Sequence, residues 1–99
     1  MYFLKQSTAA TIILGPFLDD TDGKTAETAL TIPNTDVLIS KNGGTFAAKN
    51  EATSLTHMTN GYYSCPINTT DTNTLGWIKV TVNKTGAMPV YHEFSKSNI

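Results

Sequence analysis

The sequence lacks arginine and is poor in charge of either sign. Its 99 residues contain seven basic residues, all of them lysine, and eight acidic ones, which gives a net charge of −1. Domains that bind nucleic acid usually present a basic surface in which arginine is prominent. We therefore expect no nucleic-acid partner for this chain.

Disulfides and long apolar runs are missing as well. Cys65 is the only cysteine, so no intramolecular disulfide can form, whereas small secreted domains often contain several. No stretch approaches the roughly 20 apolar residues of a membrane span, and residues 1–8 lack the basic start and apolar run of a secretory signal. We expect a domain without a membrane partner, stabilised by packing or by assembly.

Threonine and asparagine make up for the low content of apolar and charged residues. Hydrophobic residues are 39% of the chain and charged residues only 15%. Threonine fits the exposed face of a sheet, whereas a helical bundle would contain more alanine, leucine, glutamate and lysine. This composition predicts an all-β domain with a wide solvated surface.

The clearest strand pattern lies in residues 62–83, where two alternating segments flank a polar turn at residues 68–73. Alternation with a period of two is typical of a strand that is buried on one face and exposed on the other. The predicted inward positions are Tyr63, Cys65, Ile67, Ile78, Val80 and Val82. Trp77, Lys79 and Thr81 fall on the opposite face.

Further short strands are predicted at residues 1–5, 10–14, 27–32, 36–41, 45–49 and 89–94. Turn residues separate them, and Asn42-Gly43-Gly44 is the strongest hairpin sequence because such tips need positive φ angles. Seven or eight short strands with frequent turns predict an immunoglobulin-like antiparallel β-sandwich that forms one domain over residues 1–99. Residues 1–14 form either its first strands or an extended arm, and residues 95–99 a tail.

The reactive side chains show no pattern of an active site or a zinc site. Cys65, His57 and His92 match no compact zinc spacing, and a buried cysteine is usually inert. The sequence therefore predicts no enzyme and no cofactor.

The acidic run at residues 19–24 resembles half of a calcium loop. The EF-hand spacing fails, because Leu18 and Ala29 fall at the first and twelfth ligand positions. We predict an Asx-type turn without a metal; a weak surface ion at Asp20 and Asp22 is the alternative.

Three aromatic residues are candidates for an interface or for stacking on a glycan, namely Trp77, Tyr62 and Tyr91. Exposed tryptophan and tyrosine are more frequent in interfaces than on bare surface. The pattern favours a core or interface role over a sugar platform.

Six segments together resemble a small domain of tailed-bacteriophage structural proteins: residues 2–8 (YFLKQST), 15–23 (GPFLDDTDG), 28–32 (TALTI), 36–44 (DVLISKNGG), 71–76 (DTNTLG) and 86–94 (GAMPVYHEF). A looser similarity links the lysine-asparagine-glycine-glycine hairpin, followed by Asn60-Gly61-Tyr62-Tyr63, to the immunoglobulin-like domain of some phage baseplate proteins. The resemblance covers nearly the whole chain.

The resemblance implies a virion structural protein, made in the bacterial cytoplasm and located on the particle. We expect a capsid decoration or accessory protein that contacts the major capsid protein or tail and neck proteins, as a homo-oligomer or in many copies. A tail-fibre or baseplate anchoring domain is one alternative, and a glycan- or host-surface-binding module is another. The candidate docking residues lie in the apolar N-terminal stretch: Tyr2, Phe3, Leu4, Ile12, Ile13 and Leu14.

Overall fold

The computed structural model describes the backbone of residues 2–97 and the side chains of residues 4–96. The regular elements within this range are eight strands and one 3₁₀ turn, Asn34–Asp36. The strands are β1 (Tyr2–Lys5), β2 (Ala10–Leu14), β3 (Val37–Lys41), β4 (Ala47–Ala48), β5 (Thr56–Thr59), β6 (Tyr62–Ile67), β7 (Gly76–Val82) and β8 (Val90–Ser97).

The strands form two sheets. One has five strands in the order β1-β8-β7-β3-β4, and the other has three in the order β2-β6-β5. All neighbouring strands are antiparallel except β1, which runs parallel to β8. The prediction of an all-β protein is confirmed.

A single hydrophobic core draws on both sheets. The inward positions predicted in residues 62–83 are each at most 1% exposed, which confirms the alternation in β6 and β7. The other core residues of the five-stranded sheet are Leu4, Val37, Ile39, Val90 and Phe94. β-branched residues supply much of this core because their stiff side chains pack well on a pleated surface.

The polar turn between β6 and β7 carries the chain from one sheet to the other. β6 pairs with β2 and β5, whereas β7 pairs with β3 and β8. Residues 68–75 therefore cross from the three-stranded sheet to the five-stranded sheet instead of closing a hairpin.

Three predictions about the strands were wrong in detail. Residues 27–32 form no strand and contain a bend at residue 29; the Leu30 N–H is bonded to the Tyr63 hydroxyl at 3.0 Å. The predicted strand at residues 45–49 is reduced to the two residues of β4. The segment at residues 50–60 was predicted to be a connection because it is polar, but it contains β5. The register of β5 on β6 shifts between His57 and Thr59.

The predicted tail begins later than expected. β8 continues through Ser97, and Lys96 faces the core with 4% exposure. A lysine near the end of a chain usually indicates a segment exposed to solvent. The sequence pattern therefore did not predict that this segment pairs with both β1 and β7. Residues 98 and 99 lie outside the described part of the chain.

Candidate functional site

The side chains considered for catalysis or zinc binding are Cys65, His57 and His92, and each is buried or hydrogen-bonded within the fold. Cys65 is fully buried, and burial raises the pKa of its thiol to about 11, so the thiol stays protonated at neutral pH. The Nε2 atom of His57 accepts the Gly61 N–H at 3.2 Å. Within residues 4–96 no three histidine, cysteine, aspartate or glutamate side chains are grouped to hold a metal ion.

The acidic turn uses its carboxylates to bind its own backbone. Asp22 accepts the N–H groups of Lys24 and Thr25 at 2.9 and 3.0 Å. The Thr25 hydroxyl donates to the same carboxylate, and this bond, followed by those two N–H bonds, lowers the pKa of Asp22 to about 2. Such bonding is typical of an Asx-type turn.

Two buried charged residues organise the loops that join the sheets. Asp71, 3% exposed, accepts the N–H groups of Asn50, Glu51 and Asn68 at 2.7, 3.3 and 3.1 Å. The Lys49 ammonium, also buried, donates to three main-chain oxygens at 2.8–3.0 Å, those of Glu51, Thr53 and Pro66. Both side chains are saturated by the backbone, so they stabilise the loops and offer nothing to a ligand.

Lys96 is different, because its buried ammonium has no hydrogen-bond partner among the described residues. Burial, and secondly the positive charge of Lys41, lower its pKa to about 8. Lys41 itself donates to the Thr70 carbonyl and to Asn73 Oδ1 at 2.8 and 2.9 Å.

The most prominent surface feature is the outer face of the five-stranded sheet. Four large hydrophobic side chains are exposed there, and we call them the aromatic face: Leu38, Phe46, Trp77 and Tyr91. Leu38, Trp77 and Tyr91 alternate with core positions in β3, β7 and β8. Phe46 directly precedes β4, two residues before Ala48. Because Ala48 pairs with Leu38, alternation places Phe46 on the same side of the sheet as Leu38. Their exposed fractions run from 37% to 65%.

The hairpin tip after β3 holds the backbone of Trp77 in place. Asn42 Oδ1 accepts the Trp77 N–H at 2.8 Å, and the Asn42 N–H donates to the Trp77 carbonyl at 2.9 Å. Gly76 has φ of +106°, and a Cβ atom there would lie only 2.2 Å from Asn42 Oδ1. Glycine at position 76 is therefore required for this contact, and Gly43 lies close beneath the indole ring.

An ion pair divides the aromatic face. Lys79 Nζ lies 3.5 Å from Glu93 Oε1 and 4.9 Å from the centroid of the Tyr91 ring, within range of a cation–π contact. In the ladder, Trp77 pairs with Ser95 and Tyr91 with Thr81, so the two backbone positions are about 13 Å apart along the strands. The face thus presents two aromatic anchors with a polar centre.

A shallow depression of about 400 Å³ adjoins Trp77 and is lined by Gly76, Trp77, Glu93 and Ser95. It combines one aromatic wall with a carboxylate and a hydroxyl. That chemistry suits a small polar group stacked on the indole ring.

The predicted aromatic set is divided by the fold. Trp77 and Tyr91 share the aromatic face, but Tyr62 lies in β6 of the other sheet, 39% exposed. Leu38 and Phe46 were missed, because Leu38 looked like one more strand residue and Phe46 lies outside the regular strand.

The predicted N-terminal docking residues are largely occupied inside the domain. β1 pairs with β8 and β2 with β6, and the side chains of Leu4, Ile12 and Leu14 are buried in the core. These three are therefore not available to a neighbour while the sandwich is folded. Ile13 is 51% exposed, and the side chains of Tyr2 and Phe3 lie outside the described residues.

Comparison of the chain with protein-family models, with curated proteins and with solved structures gives no match in any of the three. Within the described residues, no helix is long and apolar enough to cross a membrane.

Proposed function

We propose that this protein is a bacteriophage virion structural protein that binds another particle protein through the aromatic face. The observation that carries the proposal is the exposure of Leu38, Phe46, Trp77 and Tyr91 on one side of one sheet. Apolar side chains that cluster on a surface and are flanked by polar groups are typical of a protein interface.

The chemistry of the face favours a protein partner over other occupants. Tryptophan and tyrosine are the residues most often found as binding anchors, and both lie on a rigid strand backbone, which limits the entropy lost on binding. The Lys79–Glu93 pair between them supplies one charge of each sign, so the partner surface is expected to be mixed, not strongly acidic or basic.

The particle is proposed on the family resemblance, and capsid decoration is the leading role. A small domain present in many copies on a symmetric shell attaches firmly even when each contact is modest, because the contacts add up. An anchoring domain of the tail fibre or baseplate would use the same face on a different partner.

The immunoglobulin-like topology is also part of the proposal. Immunoglobulin domains place strands B, E and D in one sheet and C, F and G in the other. β2, β6 and β5 match the first set, and β3, β7 and β8 the second, while β4 beside β3 matches the added C′ strand. The tryptophan of strand C and the disulfide of antibody domains have no counterpart here.

Substitution of the two anchors tests the interface. Trp77→Ala and Tyr91→Ala are each expected to weaken attachment to virions at least about 30-fold, because each truncates a large exposed ring that serves as a binding anchor. The measurement is the binding isotherm of labelled protein on particles produced without it. Tyr62→Ala is the matched control, since Tyr62 is 39% exposed, close to the 41% of Trp77, but lies on the opposite sheet.

Localisation on purified virions by cryo-electron microscopy decides the role. Density over the capsid lattice that buries the aromatic face would support decoration, and density at the neck, tail or fibres would support anchoring. Absence of the protein from the particle would refute the virion proposal.

A second candidate function, glycan binding, is favoured by the depression beside Trp77. An indole ring stacks on the apolar face of a sugar, and Glu93 and Ser95 would accept or donate hydrogen bonds to its hydroxyls. This candidate predicts that immobilised glycans retain the native protein and release Trp77→Ala, while Leu38→Ala is retained. A protein interface would lose affinity in both variants.

A further inference from the structure

β2 is an edge strand whose outer side is unpaired. It forms the end of the three-stranded sheet and pairs only with β6. Pro66 lies opposite Thr11, has no N–H, and turns its carbonyl toward the Lys49 ammonium at 3.0 Å, away from β2. In an antiparallel ladder this makes Thr11 and Ile13 the residues whose N–H and C=O groups face outward.

The open part of this edge is short and has defined ends. At the C-terminal end of this edge the next outward residue, Gly15, is in contact with His92. His92 Nε2 lies 3.2 Å from the Gly15 nitrogen and 3.1 Å from its carbonyl oxygen, so it accepts the N–H in one tautomer or donates to the C=O in the other. At the N-terminal end β2 begins at Ala10, and just before it the Thr72 hydroxyl binds both the N–H and the C=O of Thr8 at 3.0 Å. Between these ends, no described group is bonded to the outward backbone groups of Thr11 and Ile13.

The other three edges carry features that discourage pairing, and β2 carries none. β4 has only two residues, β5 contains a register shift, and β1 ends on the exposed charge of Lys5. Short strands, bulges and lysines are the devices by which natural sheets avoid edge-to-edge contact. β2 has five uncharged residues and an isoleucine, Ile13, that is 51% exposed.

We propose that β2 pairs in antiparallel orientation with β2 of a second copy of this chain, about a two-fold axis that passes beside Ile12. In this register Thr11 of one copy lies opposite Ile13 of the other, and each such pair exchanges two N–H···O bonds. The two pairs use all four outward groups of both copies. The product is a continuous six-stranded sheet in the order β5-β6-β2-β2-β6-β5.

The side chains fit the same register. Thr11 and Ile13 both point to the outer face of the three-stranded sheet, so each exposed isoleucine packs beside a threonine of the second copy. Cross-strand pairs of β-branched residues stabilise a sheet. The segment contains no charge, so the two-fold axis brings no like charges together.

Self-pairing explains the length of the open edge better than a strand from another protein. Two outward residues separated by one inward residue pair completely with themselves about a two-fold axis at the inward residue. A longer foreign strand would extend past Ile13 to Gly15, where His92 Nε2 already occupies one of the two backbone groups, and would gain at most one bond there.

This interface is distinct from the aromatic face, which belongs to the other sheet. A dimer through β2 leaves Trp77 and Tyr91 free and presents the aromatic face twice. Two linked copies bind a repetitive surface more tightly than one copy does. Substitutions at the β2 edge are therefore expected to leave binding through the aromatic face unchanged, and substitutions in the aromatic face to leave dimerisation unchanged.

The test is sedimentation equilibrium of the full chain with three variants. Thr11→Pro removes the outward N–H without breaking the ladder to β6, and is expected to raise the dimer dissociation constant at least about tenfold. Ile13→Lys keeps the backbone but places two like charges about 7–8 Å apart on the diagonal, with an effect in the same direction. Thr11→Val retains the N–H and is expected to dimerise as the native chain does. Circular dichroism verifies the fold of each.

Amide hydrogen exchange locates the interface directly. The Thr11 and Ile13 amides are expected to exchange more slowly as the protein concentration rises, and Trp77→Ala is expected to leave this unchanged. The proposal is wrong if the chain is monomeric up to about 1 mM, or if it dimerises with these two amides unprotected. Protection that appears only when another particle protein is added would also overturn it, in favour of a foreign strand.

Discussion

Replacement of Phe17 by alanine is expected to lower the free energy of unfolding by about 3–5 kcal/mol. Phe17 is fully buried, and its ring meets the Tyr63 ring edge-on at a centroid distance of 5.1 Å. Its N–H donates to the Gly61 carbonyl at 2.8 Å, which fixes the backbone at this position. The side chain fills the end of the core that lies next to the loops. The fixed backbone prevents collapse into the cavity, which keeps the cost high.

Such a loss is large for a domain of this size, whose total stability is typically about 5–15 kcal/mol. Urea unfolding followed by circular dichroism measures it. Phe46→Ala is the control, since it removes the same atoms from a side chain that is 44% exposed and is expected to lower stability by only about 1–2 kcal/mol. Equal effects of the two substitutions would show that Phe17 does not close the core.

Replacement of Asp71 by alanine is expected to cost about 3–5 kcal/mol for a different reason. The carboxylate accepts three main-chain N–H groups, from Asn50, Glu51 and Asn68. Without it, buried donors in two loops lose their acceptor, and each unpaired buried donor costs about 1–3 kcal/mol. Because residues 68–75 carry the chain between the sheets, the loss is expected to loosen their connection.

Two variants separate this effect from a general loss of charge. Asp71→Asn keeps the shape but turns an amide toward backbone donors, so it is expected to remain clearly destabilised. Asp20→Ala removes an exposed carboxylate that has no side-chain hydrogen bond among the described residues, and is expected to change stability by less than about 0.5 kcal/mol. Thermal unfolding of Asp71→Ala, Asp71→Asn and Asp20→Ala gives the order of their stabilities. An Asp71→Asn variant as stable as the native protein would contradict the role assigned to the carboxylate.

Some features of this domain could be predicted from local pattern, because side-chain direction in a strand alternates whatever the strand pairs with. The inward set of β6 and β7 followed directly from residues 62–83, as did the hairpin tip at Asn42 and Gly43. The Asp22 turn could also be predicted, since its hydrogen bonds span only three residues.

The aromatic residues show where local pattern is insufficient. Trp77, Tyr91 and Tyr62 each occupy an outward strand position, and nothing in their spacing tells which sheet a strand joins. Pairing of β7 with β8 places Trp77 and Tyr91 together, while pairing of β6 with β2 places Tyr62 on the opposite side. The candidate face depends on that partition.

Alternation in the chain was therefore sufficient to say which residues of β6 and β7 are buried, because burial within a strand repeats every two residues. The partners of each strand, the closure of the core by Phe17 and the open edge of β2 depended on contacts between distant segments. Phe17 meets Tyr63, and His92 binds Gly15, across separations that no local period encodes. Long-range pairing is chosen by the total burial and hydrogen bonding of the folded chain, so it becomes visible only in three dimensions.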